Sequence, residues 1–394
     1  MNLNLRSIIW MGFLGRVLLA FWVSTVDQIH GTASDLERLH GLAQVILNGL
    51  TEFYPQDLSL WGVFYAYFLS YVYAITTDSQ LIANILACVA WLFSALVLLR
   101  IMNLFSLNYK NMFMILILYI LIPSSLLYTS VGLREAYMLL LVNLSIYLAI
   151  IFYYHRDIRA FLLLIGVLGL VLLLHITFIV YAVFLISITL LATALRNFNI
   201  KIVKALPYLI MGAMVAIFFV QDFLQSTVEI GFSEGIMAAV LNFQEGSVIT
   251  GMTSRATYKF LVPEELGFLS SITYVGLGFF QYLFEPMPWR ISNLMDVILT
   301  LENILRGILI FLGIKALFFT EEDNKKILLI LLFAFLVLEF TWSVGTTNWG
   351  TASRHHVPSL GLLLLVGFIF KDSLEKTKNM PIEKLNSMKL SGDL

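Results

Sequence analysis

Apolar residues run almost unbroken through long stretches of this chain, and the polar residues gather in the gaps between them. A helix that crosses a bilayer needs about 20 mostly apolar residues, because about 30 Å of hydrocarbon is covered at about 1.5 Å per residue. Runs of that kind lie at 7–26, 80–101, 111–130, 135–153, 159–174, 176–195, 203–221, 294–319, 326–344 and 357–371. They predict an all-α, polytopic transmembrane helical bundle of about ten spans. Two further apolar stretches, 59–76 and 268–284, are expected to be interfacial or re-entrant. The first, LSLWGVFYAYFLSYVYAI, carries the Trp and Tyr of a headgroup-level belt. The opening run has no small-residue cleavage site, so it is expected to be the first span.

Composition narrows the class. The chain has 394 residues, of which 60% are hydrophobic and only 12% charged. A soluble domain carries about 25% charged residues, so a water-soluble enzyme is excluded. A formal net charge of −1 leaves no broad basic surface for nucleic acid. The single cysteine, Cys88 in ANILACVAWLF, rules out an intrachain disulfide and a zinc–thiolate site.

Basic residues set the expected orientation through the positive-inside rule. With ten spans and both termini inside, 16 of the 24 Lys and Arg residues fall on the cytoplasmic side. The short connections there are basic, and the tail 372–394 is expected to lie loosely against the inner leaflet. Residues 1–371 form one transmembrane domain with two long outer loops, 27–79 and 222–293. The outer side therefore holds most of the polar groups that topology does not require.

Five outer groups of residues are candidates for chemistry. In SDLERLHGLAQVILNG, Ser34 and Glu37 fit a capping box, predicting a helix from Asp35 to Asn48 that stops at Gly49. Asp35, with Glu37, Arg38 and His40, reads either as a solvated acidic cap with its neighbours or as a general base above the membrane. Arg134 and Glu135 stand at the start of a span, as an interfacial anchor or a phosphate site. His175 sits at an outer turn and reads first as a packing residue. Arg255, Lys259 and Arg290 are suited to an anionic lipid head group. Arg354, His355 and His356 abut a span, where adjacent cationic groups are costly unless an anion meets them, so they read as a phosphate clamp. The two histidines point to different helix faces, which argues against a metal pair. Within the spans, Glu302 and Arg306 are spaced to neutralise each other.

In the order of these features the chain resembles the GT-C superfamily of polytopic glycosyltransferases, in particular bacterial envelope-polysaccharide (O-unit) polymerase-like proteins. The resemblance rests on SDLERLHGLAQVILNG, the aromatic segment 59–76, Asn84, PSSLLYTSVGLREA and NWGTASRHHVPSL. It implies transfer of a sugar or oligosaccharide from a polyprenyl-(di)phosphate carrier to a glycan or lipid acceptor, on the outer face of the cell membrane. Asp35 would be the first-loop acid, with Glu37 beside it. Arg134, Arg255, Arg290, Arg354 and His355 would hold the carrier phosphate. The family's transferases often show adjacent acids in this loop, whereas Leu36 separates Asp35 from Glu37 here. That leaves a divalent metal open, and the arginine-rich outer face leans toward the metal-free polymerase branch. No cofactor is expected, and no nucleotide-binding loop is present. The main alternative is a transporter or flippase of lipid-linked oligosaccharide, which would place ionisable groups at membrane depth on broken helices.

Overall fold

A computed structural model of the chain describes residues 4–26, 33–49, 60–198, 256–258, 268–318 and 322–378. Among them the fold is all-helical, with no strand and one isolated bridge between Thr257 and Asn348. The helices are α1 (Leu5–Thr25), α2 (Ala33–Leu47), α3 (Leu60–Ile75), α4 (Gln80–Leu104), α5 (Tyr109–Leu121), α6 (Pro123–Tyr128) and α7 (Glu135–His155). They continue as α8 (Ile158–Leu174), α9 (Phe178–Phe198), α10 (Phe268–Phe284), α11 (Leu294–Ala316), α12 (Glu322–Gly345), α13 (Trp349–His355) and α14 (Leu360–Lys378).

Among the described residues, five helices are long and apolar enough to cross a membrane: Leu5–Thr25, Gln80–Leu104, Glu135–His155, Leu294–Ala316 and Lys325–Gly345. A sixth follows if α13 and α14, bent by 72° at their junction, form one broken span. The chain is thus a polytopic membrane protein, and among the described residues fewer full-length apolar helices appear than the ten spans expected. One reason is local. The run 111–130 is apolar throughout, but Pro123 has no N–H and forces the preceding residue out of helical geometry, so α5 ends at Leu121. Segments α8 and α9 are expected spans that appear as shorter apolar helices. The expected span 203–221 lies outside the described residues.

Exposed apolar stripes run along the helix surfaces. Leu14, Leu18, Phe21 and Trp22 of α1, and Leu301, Ile304, Ile308 and Phe311 of α11, recur at helical spacing and are all more than half exposed. Such apolar stripes are unfavourable in water and belong against hydrocarbon.

Buried polar side chains tie the helices together inside. Asn143 on α7 donates to Ser94 Oγ of α4 at 2.9 Å and to Tyr119 OH of α5 at 3.0 Å. Asn84 at the start of α4 donates to Ser24 Oγ near the end of α1 at 2.9 Å, and its Oδ1 accepts the Gly132 amide at 2.6 Å. These bonds bring the end of α1, the start of α4 and the turn before α7 to one end of the bundle. Glycine is required at 132, because a Cβ there would stand 2.6 Å from the Ala83 Cβ.

The helix in the first loop is close to its expected form. It runs Ala33–Leu47, with Gly49 at φ +68 just beyond it, the left-handed conformation in which glycine is favoured. It starts at Ala33, ahead of the expected Asp35. Ser34 therefore lies in the first turn and is not the cap of a capping box. Within the expected interfacial stretch 59–76, Leu60–Ile75 forms α3, which packs against α2 and α8.

Candidate functional site

The end of the bundle that carries Gly132 also gathers charged groups from distant parts of the chain. Arg354, in the last turn of α13, lies between two carboxylates. Its Nη1 bonds Asp35 Oδ2 in the first turn of α2, and its Nε pairs with Glu135 Oε1 at 2.8 Å. Asp35 is 42% exposed at the mouth of the cluster, while the Glu135 side chain is buried. The second oxygen of Glu135 is buried and meets no donor.

Local sequence explains how each group is placed. Asn348 caps α13 by accepting the Thr351 amide at 2.8 Å, which starts the short helix that ends in Arg354 and His355. The bridge between Thr257 and Asn348 holds the same corner from the other side, with Tyr258 N donating to Thr347 O at 2.8 Å. Arg134 occupies the N-cap position of α7, and Glu135 is its first residue, where free amides favour an acid. Arg134 donates to Leu174 O at 3.1 Å, tying this turn to the end of α8.

Next to the arginines, three rings pack together, with His355 stacked on Trp342 and His175 tilted against it. Trp342 of α12 lies between His175, with centroids 4.5 Å apart, and His355, at 4.0 Å. Thr346 donates its hydroxyl proton to Trp342 O, so it accepts from His355 Nδ1 at 2.8 Å. His175, in the turn between α8 and α9, accepts at Nδ1 from Thr177. Burial, reinforced by Arg134 and Arg354, pushes the His175 imidazole down to about 3, so it is neutral.

His356 faces elsewhere. Its Nδ1 is hydrogen-bonded to Glu339 Oε2 at 2.5 Å, and its Nε2 donates to Tyr282 O at 3.2 Å. Ser359 donates to the other Glu339 oxygen. Arg354, His355 and His356 thus diverge to three sets of partners. Arg290 belongs to a neighbouring group: it pairs with Glu285 at 3.0 Å, donates to Thr257 O at 2.8 Å and lies 4.5 Å over Trp349. Trp349 in turn donates to Asp296 Oδ1 at 3.2 Å.

On α2, His40 faces Tyr73 of α3, with Nδ1 and the phenol oxygen 2.9 Å apart. Burial lowers its pKa, so it is neutral near pH 7. Glu37 and Arg38 are exposed. Arg255 and Lys259 lie outside the described residues. Glu302 and Arg306, spaced to neutralise each other, interact through space, but each makes its direct hydrogen bonds elsewhere. Glu302 accepts the Ser124 amide at 2.8 Å, and Arg306 donates to Leu283 O at 3.1 Å and to Asn303. Bare backbone groups at two helix ends compete successfully for these side chains.

Sequence reasoning missed Trp342, Thr346 and the Tyr128–Ser353 hydrogen bond of 3.0 Å behind Arg354. It also passed over Glu339, a lone acid inside the apolar run 326–344, although an ionisable residue at membrane depth is a site signal by itself.

Electrostatically, burial opposes ionisation of Asp35, but the Arg354 guanidinium, with Arg134 and Arg38 nearby, outweighs it and holds the carboxyl below its usual range. A depressed folded-state value means that the carboxylate stabilises the fold above its unfolded pKa. That contribution is lost as pH falls through the lower folded value. The stability difference between wild type and Asp35→Asn in detergent is therefore expected to be flat from pH 7 to about 4 and to shrink below that. A difference that grows on acidification would disprove the pairing.

Chemically, the cluster offers a half-exposed carboxylate, a buried carboxylate with one open oxygen, and two arginines. It can accept a proton from a hydroxyl and neutralise a phosphate. Among the described residues, no group of three or more His, Cys, Asp or Glu side chains is placed to hold a metal ion. No protein-family model matches the chain, and no curated protein is significantly similar to it.

Proposed function

We propose that the protein is a membrane glycosyltransferase of the GT-C type. It moves a sugar or oligosaccharide unit from a polyprenyl-(di)phosphate carrier to a glycan or lipid acceptor, in polymerase-like fashion, on the extracytoplasmic face of the cell membrane. The observation that carries this reading is the convergence of Asp35, Arg134, Glu135 and Arg354, from helices far apart in sequence, at one end of an apolar bundle. A hydroxyl oxygen of the acceptor attacks the anomeric carbon, and the bond from that carbon to the phosphate oxygen breaks. The phosphate leaves with the electron pair, and the hydroxyl proton passes to a carboxylate. Glu135 Oε2, which has no donor of its own, suits the acceptor hydroxyl, while Arg134 and Arg354 suit the departing phosphate.

An apolar groove of about 330 Å³ between α10 and α11 gives a hydrocarbon chain a place on the same protein. Phe280, Phe284, Pro286, Pro288 and Ile304 line it, and the hydroxyl of Thr300 in its wall is already donated to backbone carbonyls.

A second reading, transport of lipid-linked oligosaccharide, draws support from the broken α5–α6 helix and from the buried Arg16, Glu302, Arg306 and Glu339. The two readings separate in proteoliposomes supplied with a polyprenyl-diphosphate-linked glycan. Transfer by wild type, lost in Glu135→Gln and Asp35→Asn with folding intact, supports the enzyme. Movement of the lipid-linked glycan between leaflets without a lengthened product supports the transporter.

A further inference from the structure

Arg16 is wholly buried in α1, and among the described residues no carboxylate pairs with it. Its ring of partners is neutral. Nε donates to Thr129 Oγ1 at 2.8 Å, Nη1 to Gly12 O at 3.4 Å, and Nη2 to Tyr119 O at 3.4 Å and Ile120 O at 3.3 Å. The guanidinium also lies 3.6 Å over the Trp91 ring. Burying a cation without a counter-charge costs several kcal/mol, so the acceptors it finds need an explanation.

The break at Pro123 supplies one. In a continuous helix, Tyr119 O would accept from the amide of residue 123 and Ile120 O from that of residue 124. Residue 123 is a proline and has no amide hydrogen. The Ser124 amide is committed to Glu302 Oε1 at 2.8 Å. Two of the carbonyls orphaned by the break are the ones that Arg16 Nη2 reaches, and one of the amides released by it is taken by Glu302. A water-sized cavity of about 20 Å³, lined by Ser124, Glu302, Arg306 and His356, lies beside the break. Broken helices at membrane depth persist where neighbours satisfy the freed backbone groups in this way.

The downstream half of the break leads to the site. Thr129, which accepts from Arg16, donates to Ser125 O at 2.6 Å and so is fixed to α6. Ser353 donates to Gly350 O, so the Tyr128 hydroxyl donates to Ser353 at 3.0 Å, one residue before Arg354. We propose that Arg16 and Glu302 are positioning residues that clamp the two sides of the Pro123 break, so that α6 holds α13 and Arg354 in register with Glu135. The activity part of this inference rests on the transferase reading; the clamp itself does not.

Hydrogen–deuterium exchange of the full chain in detergent, with carrier-glycan transfer in parallel, tests it. Arg16→Met and Glu302→Met are expected to raise exchange in peptides covering 122–130 by about tenfold or more, leaving α8 and α9 unchanged. Glu302→Gln keeps an acceptor for Ser124 and is expected to behave as wild type. In Arg16→Met, kcat is expected to fall by about 100-fold with little change in KM, the effect of a small misplacement of reacting groups. Pro123→Ala returns an amide to Tyr119 O and is expected to suppress part of the Arg16→Met defect in exchange. A general loss of packing would not respond to that second change. If Arg16→Met alone does not fold, recovery of folded protein by Arg16→Met with Pro123→Ala supports the clamp. Unchanged exchange at 122–130 in both Met variants, or no suppression by Pro123→Ala, overturns it. If wild type shows no transfer, the transferase reading falls and the exchange results still decide the clamp.

Discussion

Arg354→Ala is expected to be among the most damaging single changes in this chain, abolishing transfer and lowering stability together. It strands Glu135, whose side chain is 5% exposed, as a buried carboxylate without its cation. Removing one partner of a buried pair typically costs about 3–5 kcal/mol. Placement of Glu135 at the first position of α7 favours the charge and brings the expected cost toward the lower figure. Unfolding in a detergent titration measures the loss. Adding Glu135→Gln to Arg354→Ala removes the stranded charge and is expected to restore much of the stability but none of the transfer. Arg354→Lys is expected to recover little, because one ammonium cannot hold Asp35 and Glu135 in the fixed geometry of a guanidinium. Equal stability of the single and double variants would show that the pair does not exist in the folded protein.

Glu339→Ala is the second change with a large expected effect, and it acts away from the cluster. Glu339 is fully buried in α12 and serves both His356 Nδ1 and the Ser359 hydroxyl. Its removal leaves His356 Nδ1 without its partner, leaves the Ser359 hydroxyl only its bond to the His356 carbonyl at 3.0 Å, and opens a void where the side chain was. An unsatisfied buried group costs about 1–3 kcal/mol and the void adds to it, so a total loss of about 2–5 kcal/mol is expected. Glu339→Gln keeps an acceptor for one of the two and is expected to lose less. The comparison is best made by the detergent concentration or temperature at which near-ultraviolet circular dichroism is lost. Similar midpoints for Glu339→Ala and wild type would mean that His356 and Ser359 find other partners and that the buried network is not a structural one.

Much of the helical framework was legible because its signal is local. The starts of α4 and α7, the whole of α8 and the glycine stop after α2 follow from hydropathy runs and capping chemistry alone. The break at Pro123 was readable in principle, since IPSSL carries the one residue that cannot continue a helix, but hydropathy averages across it. The site divides in the same way. Arg134 and Glu135 stand out because they interrupt apolar sequence at a helix start, and Arg354 because it closes NWGTASRHH before a span. Their meeting with Asp35 depends on contacts 319 residues apart, which one sequence does not encode in any local pattern. Trp342 and Thr346 were invisible for a related reason. Each reads as an ordinary residue of an apolar helix until His175 and His355 are brought to either side. Glu302 and Arg306 show the converse, where a correct local spacing was overruled by stronger partners elsewhere in the fold.

The double use of Arg354 has a consequence for how a ligand is recognised. Its charge is already neutralised by Asp35 and Glu135, so this end of the protein does not present a vacant cationic socket. An incoming phosphate must compete with a carboxylate for the guanidinium, and the half-exposed Asp35 is the easier of the two to displace. On the proposed transferase reading, binding is then a substitution of one anion for another, with selectivity set by charge and reach. On the same reading, the displaced Asp35 gains basicity as the donor arrives, so occupancy of the phosphate position frees a second carboxylate to take up a proton beside Glu135.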